Sequence, residues 1–307
     1  MSERIRDLLK KLFKTGFFSI YIATIGSKVI TLLGGVLIVR ILPQEDYGIY
    51  TLVLNAISML CIFGDFGASG ATLQYGIESE KDLKKQSGFF KLGLRMIIFA
   101  SLASFALIIL SPLYYPYQNE TIGKLTFMMA GIAIFTNLVN YIGMILRVKK
   151  KNNLYSAYQI LTTIIHYTVV IVLTILFGLK GSLFSQYIYN IIIFIIGCFF
   201  IRKHFKIKES KKIEASEKKG FWKMGISSQL NNTLNSLLYQ IGIFILGIMV
   251  TNTVDISIYK VATIIPNALA FLPQCLAIYA NPYFISHNKD PKWINNNVKK
   301  MIKTFLF

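Results

Sequence analysis

Apolar residues fall along this chain in long runs broken by short polar stretches, and the runs have the length of membrane helices. A helix crosses the hydrocarbon core in about 20 predominantly apolar residues. On that length the pattern predicts eight spans: Phe17–Ile41, Ile49–Gln74, Leu92–Leu113, Leu125–Leu146, Tyr155–Phe177, Leu183–Ile201, Phe221–Val250 and Ile256–Ser286. Met301–Phe307 reads as the opening of a ninth. The expected fold class is an all-α polytopic membrane protein.

Charge gives the runs a direction. The net charge is +19, and of 33 Lys and Arg residues 28 sit in five stretches: 1–14, 81–95, 147–151, 202–223 and 289–303. Two spans separate each stretch from the next, and the loops facing the other way hold only Arg40, Lys124, Lys180 and Lys260. Basic loops stay on the cytoplasmic side, so a multi-pass protein of the cell (plasma or inner) membrane is expected, with its N-terminus cytoplasmic. The positive charge is thus a topology signal, and no nucleic-acid partner is expected. Only 15% of residues are charged, against about a quarter in soluble domains, and the mean hydropathy is +0.55. The first run carries a lysine, is too long for a signal-peptide core and has no small-residue cleavage site after it, so it is read as retained. Cys61, Cys198 and Cys275 lie far apart inside apolar runs and read as small apolar residues.

The largest basic stretch, residues 202–220, divides the chain. Residues 1–201 form a six-span N-lobe, and residues 221–307 begin a second lobe. Gly16-Phe17-Phe18 is echoed by Gly220-Phe221-Trp222, and Gly48-Ile49-Tyr50 by Ser257-Ile258-Tyr259. An internal repeat of the kind that builds transporters accounts for this; chance similarity between aromatic-rich helices competes with it.

Polar residues within the spans are the candidate functional groups. Lys28 lies near the middle of the first span, where a lone ammonium costs about 2.5–3.5 kcal/mol on insertion scales. With Thr24, Thr31 and Gly35 it makes one polar stripe, read as facing water or an anionic group; pairing with Asp65 is the alternative. Asp65 lies among Gly64, Gly67 and Gly70, where small residues serve close helix packing, and it is a candidate for a structural charge pair or for ion coupling. His166 in the fifth span reads first as a hydrogen-bonded interior residue, and as a proton relay second. In the seventh span Ser228, Asn231, Asn232 and Asn235 share a helical face that must avoid lipid, and amides suit sugar hydroxyls. Pro266 and Pro273 kink the eighth span. No paired carboxylates, nucleophile–His set, phosphate-cradling Gly loop or metal-ligand cluster is present in the sequence, so neither enzyme activity nor a cofactor or metal is expected.

The stretches VRILPQEDYGIYTLV (39–53), FGDFGASGATLQYG (63–76) and LRVKKKNNLYSAYQ (146–159), with Ile258-Tyr259-Lys260-Val261-Ala262, resemble bacterial polysaccharide exporters. These are the Wzx-type flippases of the MOP superfamily, which also holds the MATE exporters. Leu42-Pro43…Tyr47-Gly48 is the most specific element. Two departures stand out: Ser257 replaces the family's usual Gly, and family members usually have twelve or more helices in two six-helix lobes, so the chain reads as C-terminally truncated. The resemblance implies a MATE-like helix bundle that carries undecaprenyl-diphosphate-linked oligosaccharide between leaflets by alternating access. It implies as partners the lipid-linked oligosaccharide, the phospholipid bilayer and a polysaccharide polymerase with its chain-length regulator, as in O-antigen or capsule assembly. Lys28, Arg95 and Arg147 then suit the diphosphate, and the amide face of the seventh span suits the sugars. A MATE-like cation-coupled drug exporter predicts acids facing the cavity, and a membrane glycosyltransferase predicts a large external loop with catalytic groups. A non-transporting scaffold of a polysaccharide assembly complex leaves Lys28 unexplained.

The charge asymmetry predicts that reporter fusions at Asn152, Ser216 and Lys292 read cytoplasmic, and fusions at Asn119 and Thr253 external. A cytoplasmic signal at Asn119 contradicts the span assignment.

Overall fold

The computed structural model describes residues 17–114, 116, 120–202, 210–250, 252–264, 266, 280–287 and 290–305, with backbone alone at Phe17, Tyr239 and 300–305. The middle of the eighth expected span, including Pro273, lies outside the described residues, as do the basic N-terminal stretch and most of residues 202–209. The described residues form α1 (Phe17–Ile41), α2 (Gln44–Leu60), α3 (Ala68–Glu78), α4 (Leu83–Leu110), α5 (Glu120–Met128) and α6 (Ile132–Val148). There follow α7 (Asn152–Ile201), α8 (Ala215–Met249), α9 (Thr253–Ala262), a helical stretch at 280–286, and α10 (Pro291–Phe305). The chain is the all-α membrane helix bundle expected. α1, α4 and α7 are each long and apolar enough to cross a bilayer, and α5 with α6 make a span bent by 51°.

α7 corresponds to two of the expected spans. Its 50 residues, straight, would reach about 75 Å, more than twice the hydrocarbon core. Gly178, at φ 56° and ψ −137°, breaks it into two arms. α1 lies along the first arm. A Cβ at Gly34 would come within 2.0 Å of the Tyr167 ring, so only glycine allows that approach. Ile20, Ala23 and Thr24 are buried while Ile22, Val29 and Leu33 are exposed and apolar, as a lipid-facing helix requires.

The second expected span, Ile49–Gln74, is not one helix. It breaks at residues 61–67, with Phe66 at φ 48° and Gly67 at φ 76°. Asp65 restarts the chain: its two carboxylate oxygens accept the backbone N–H groups of Gly67 and Ser69, both at 2.9 Å, the N-capping role of a short acidic side chain. The carbonyls freed by the break are taken up by other helices. Gly64 O accepts from Asn137 Nδ2 at 3.0 Å. Ile62 O accepts from Gln229 Nε2 at 2.9 Å and Thr233 Oγ1 at 3.3 Å. Non-helical backbone at membrane depth is tolerated when buried and bonded in this way.

Small residues let α3 and α8 meet over the break. A Cβ on Gly67 would lie 1.7 Å from Gly225 O, and one on Gly70 1.9 Å from Ser228 Oγ. Gly48 makes the corresponding approach near the start of α2, where its Cβ would fall 2.1 Å from Thr253 O. That close contact gives a physical reason for the Tyr47-Gly48 element.

The basic loops gather at one end. Lys150 pairs with Glu80 at 2.8 Å, Lys85 pairs with Glu217, and Lys211 N–H donates to Lys84 O at 3.0 Å. Asp82 caps α4, and the Lys85 backbone N–H holds its carboxyl below the usual range. Lys149 donates to Gln86 Oε1, while Gln86 Nε2 donates to Gly76 O at 2.6 Å; burial pushes the Lys149 ammonium down. Ile213 is buried, and Phe221, fully buried, stacks on Phe89 at 5.8 Å. The start of α8 is thus anchored in the core formed by α3, α4 and α6.

Replacing Gln229 with Leu leaves Ile62 O to Thr233 alone and should cost about 1–3 kcal/mol, read as a lower melting temperature in detergent. Asp65→Ala should also lower it, by about 1 kcal/mol for a lost cap. Adding Lys28→Ala should not restore the Asp65→Ala protein; restoration contradicts the capping role.

Candidate functional site

Between α6 and the first arm of α7 lies a cavity of about 210 Å³. Asn140, Gly143 and Arg147 line it from α6, and Tyr155, Gln159, Thr162 and Thr163 from α7. The last turn of α6 brings Arg147 to the cavity, and the register of α7 places Tyr155, Gln159, Thr162 and Thr163 on one face at helical spacing. Gly143 keeps the wall low: a Cβ there would only touch the Tyr155 and Tyr158 rings, at 3.7 Å.

Arg147 Nε is buried with no hydrogen-bond partner, and so is Gln159 Oε1. The other end of the Gln159 amide, Nε2, donates to Thr24 Oγ1 of α1 at 3.4 Å. Ser156, one turn before Gln159, and Ser27, one turn after Thr24, also have buried hydroxyls without partners. Among the described residues no carboxylate lies within ion-pair distance of Arg147. Buried polar atoms are almost always bonded, and those that are not need a reason. A half-buried guanidinium with an unpartnered Nε, in a cavity that also holds an unpaired Gln159 oxygen, suits an anionic ligand, because the arginine fork binds phosphate oxygens in pairs.

The structure separates the residues singled out in the sequence. Arg147 lines the cavity. Lys28 is half-buried one turn beyond Thr24 and pairs with no carboxylate among the described residues. Arg95 is exposed on α4. Asp65 is a helix cap, and the Lys28–Asp65 pair is not formed. His166 lies outside the cavity lining, between the rings of Tyr167 and Tyr189 with centroids at 4.8 and 4.3 Å. Its Nε2 is 3.5 Å from Gln186 Nε2, which donates to Tyr50 at 3.2 Å. On α8, Ser228 packs on Gly70 while Asn231, Asn232 and Asn235 are exposed. Gln229, Thr233, Asn137 and Gln159 were missed. Only Gln159 had a legible signal, the spacing Tyr155, Gln159, Thr162, Thr163.

Comparison with solved structures gives the class. A chain designated protein A superposes with a TM-score of 0.73 at 14% identity, covering 95% of this chain and 68% of that one. The MATE multidrug transporter DinF-BH in complex with R6G superposes with a TM-score of 0.70 at 14% identity, covering 90% and 65%. The fold is therefore a MATE-like helix bundle, and the chain spans about two thirds of the length of each neighbour. The family model for polysaccharide biosynthesis protein matches residues 13–286, and the chain belongs to that family. No curated protein sequence matches it.

Proposed function

We propose that this chain is a flippase subunit or flippase that carries an undecaprenyl-diphosphate-linked oligosaccharide across the cell membrane, with the basic end of the bundle in the cytoplasm. The observation that carries this reading is the half-buried Arg147, its buried Nε unpartnered, in a cavity lined also by the amides of Asn140 and Gln159, the hydroxyls of Thr162 and Thr163, two tyrosines and the apolar Val139 and Met144. The diphosphate supplies the missing acceptors. Lys28, on the same side of α1 as Thr24, adds a second cation along the path, and Arg95 collects the anionic lipid at the basic end. Asn231, Asn232, Asn235 and Ser228 offer donors and acceptors to the sugars where α8 is not packed. Residues 1–201 and the segment from 221 act as the two moving lobes joined by residues 202–220. The product then passes to a polysaccharide polymerase and its chain-length regulator.

Membership of the polysaccharide biosynthesis family supports this reading over that of a drug exporter. No lining residue of the cavity is acidic, and a cationic cargo beside a buried guanidinium is repelled rather than held.

Charge-assisted hydrogen bonds contribute about 1.5–3 kcal/mol, so Arg147→Gln should weaken binding of a fluorescent undecaprenyl-diphosphate oligosaccharide to the detergent-purified chain roughly 10- to 100-fold. Arg147→Lys should retain part of the affinity, since charge is kept and the fork is lost. Unchanged affinity in an Arg147→Gln protein that melts like the parent contradicts the proposal.

A further inference from the structure

α10 takes no part in the site described above. Its start is sharply fixed. Asp290 Oδ1 accepts the Trp293 backbone N–H at 3.0 Å, and Pro291 occupies the first helical position, where its missing N–H is harmless. The Trp293 ring stacks on His287 with centroids 3.9 Å apart and planes 7° from parallel, and meets Phe284 edge-on at 5.9 Å.

This start lies at the basic end of the bundle. Asn152 Nδ2 donates to Tyr283 Oη at 3.3 Å, and Lys150 Nζ sits 5.9 Å from the Tyr283 ring centroid. The helical stretch 280–286 therefore ends level with the turn between α6 and α7, where membrane helices leave the bilayer, and α10 begins at Pro291, five residues later.

The helix has two sides. Lys292, Asn295, Asn296 and Lys299 are exposed, whereas Trp293, Ile294 and Val298 are half-buried. Helical register puts position 303, a lysine, on the side of Lys292 and Lys299, and positions 301 and 305, Met and Phe, on the side of Ile294 and Val298. No acidic residue occurs after Asp290. With four lysines and three asparagines in fifteen residues, it is too polar to cross hydrocarbon. The expected opening of a ninth span, Met301–Phe307, falls at the end of this helix, whose backbone is helical from Pro291 to Phe305. Among the described residues none of the helices α1–α9 packs along it.

We propose that α10 lies in the plane of the membrane at the basic end as a docking surface for anionic lipid headgroups. Charge complementarity selects this occupant: a lysine-bearing side without acids matches lipid phosphates, and the opposite side matches the acyl boundary. Such a helix fixes the mouth of the basic end relative to the bilayer surface. It also concentrates anionic lipids there.

The test places single spin-labelled cysteines at Ile294, Val298, Asn296 and Lys299 in the full chain, with Cys61, Cys198 and Cys275 changed to Ser. The protein is reconstituted in phosphatidylcholine vesicles with or without one-third phosphatidylglycerol. In phosphatidylglycerol vesicles, labels at Ile294 and Val298 should collide with oxygen, relative to a water-soluble nickel complex, several-fold more often than labels at Asn296 and Lys299. That contrast should shrink without phosphatidylglycerol, at 1 M salt, where screening is complete within about 3 Å, and in the Lys292→Glu, Lys299→Glu, Lys303→Glu triple variant, tested with the labels at Ile294, Val298 and Asn296. Three results overturn the proposal: equal exposure of all four labels to the nickel complex, a contrast indifferent to lipid charge and salt, or shielding of Ile294 and Val298 from both reagents, which marks a protein partner instead.

Discussion

In hydrocarbon a backbone carbonyl without a donor costs several kcal/mol, and this fold is arranged around one place where the chain interrupts a membrane helix. The break between α2 and α3 frees the carbonyls of Ile62 and Gly64, and the donors come from Asn137 on α6 and from Gln229 and Thr233 on α8. Because α8 lies beyond the basic linker, the break joins the first six expected spans to the helix that follows them. The same need fixes a small residue: only glycine at 67 lets its backbone approach that of Gly225 closely enough for Gln229, one turn further on, to reach the carbonyl. The break also falls between two apolar cores. One, around Phe89, Tyr141 and Phe221, lies toward the basic end, and the other, around Tyr50, Val53 and Ile256, lies toward the opposite end.

The cavity inverts that logic. At the break the freed carbonyls find donors; in the cavity Arg147 Nε and Gln159 Oε1, both in lining residues, are buried and left without partners. Leaving such groups unmet costs about 1–3 kcal/mol each, a cost that a bound ligand with complementary oxygens removes. Asp65, by contrast, has both carboxylate oxygens engaged by backbone N–H groups.

Several of the spans were legible in the sequence because hydropathy reports on the solvent each segment meets. The fifth and sixth expected spans reappear as the two arms of α7, and the basic stretches that are described converge on one end. Hydropathy is blind to the break, since glycine and alanine score as mildly apolar whether helical or not. The sequence Gly64-Asp65-Phe66-Gly67 does carry a local signal for it, an acid placed to cap a restarting helix. The polar half of α8 is ambiguous for another reason: Ser227 to Asn235 is polar nearly all round, so composition does not say which side packs on the break. The inward side holds Gln229 and Thr233, not the face of Asn231, Asn232 and Asn235. Arg147 was recognisable as a cation in a basic stretch, but the burial of its Nε comes from the packing of α6 on α7, which no local pattern encodes.

The central claim is that a lipid-linked diphosphate binds in the cavity between α6 and α7. Photolabelling the reconstituted chain with a polyprenyl diphosphate bearing a diazirine beside the phosphates, followed by peptide mapping, tests it most directly. The account predicts adducts within residues 139–163 that excess inorganic pyrophosphate suppresses. Adducts confined to the lipid-exposed faces of α4 and the second arm of α7, unaffected by pyrophosphate, would contradict it.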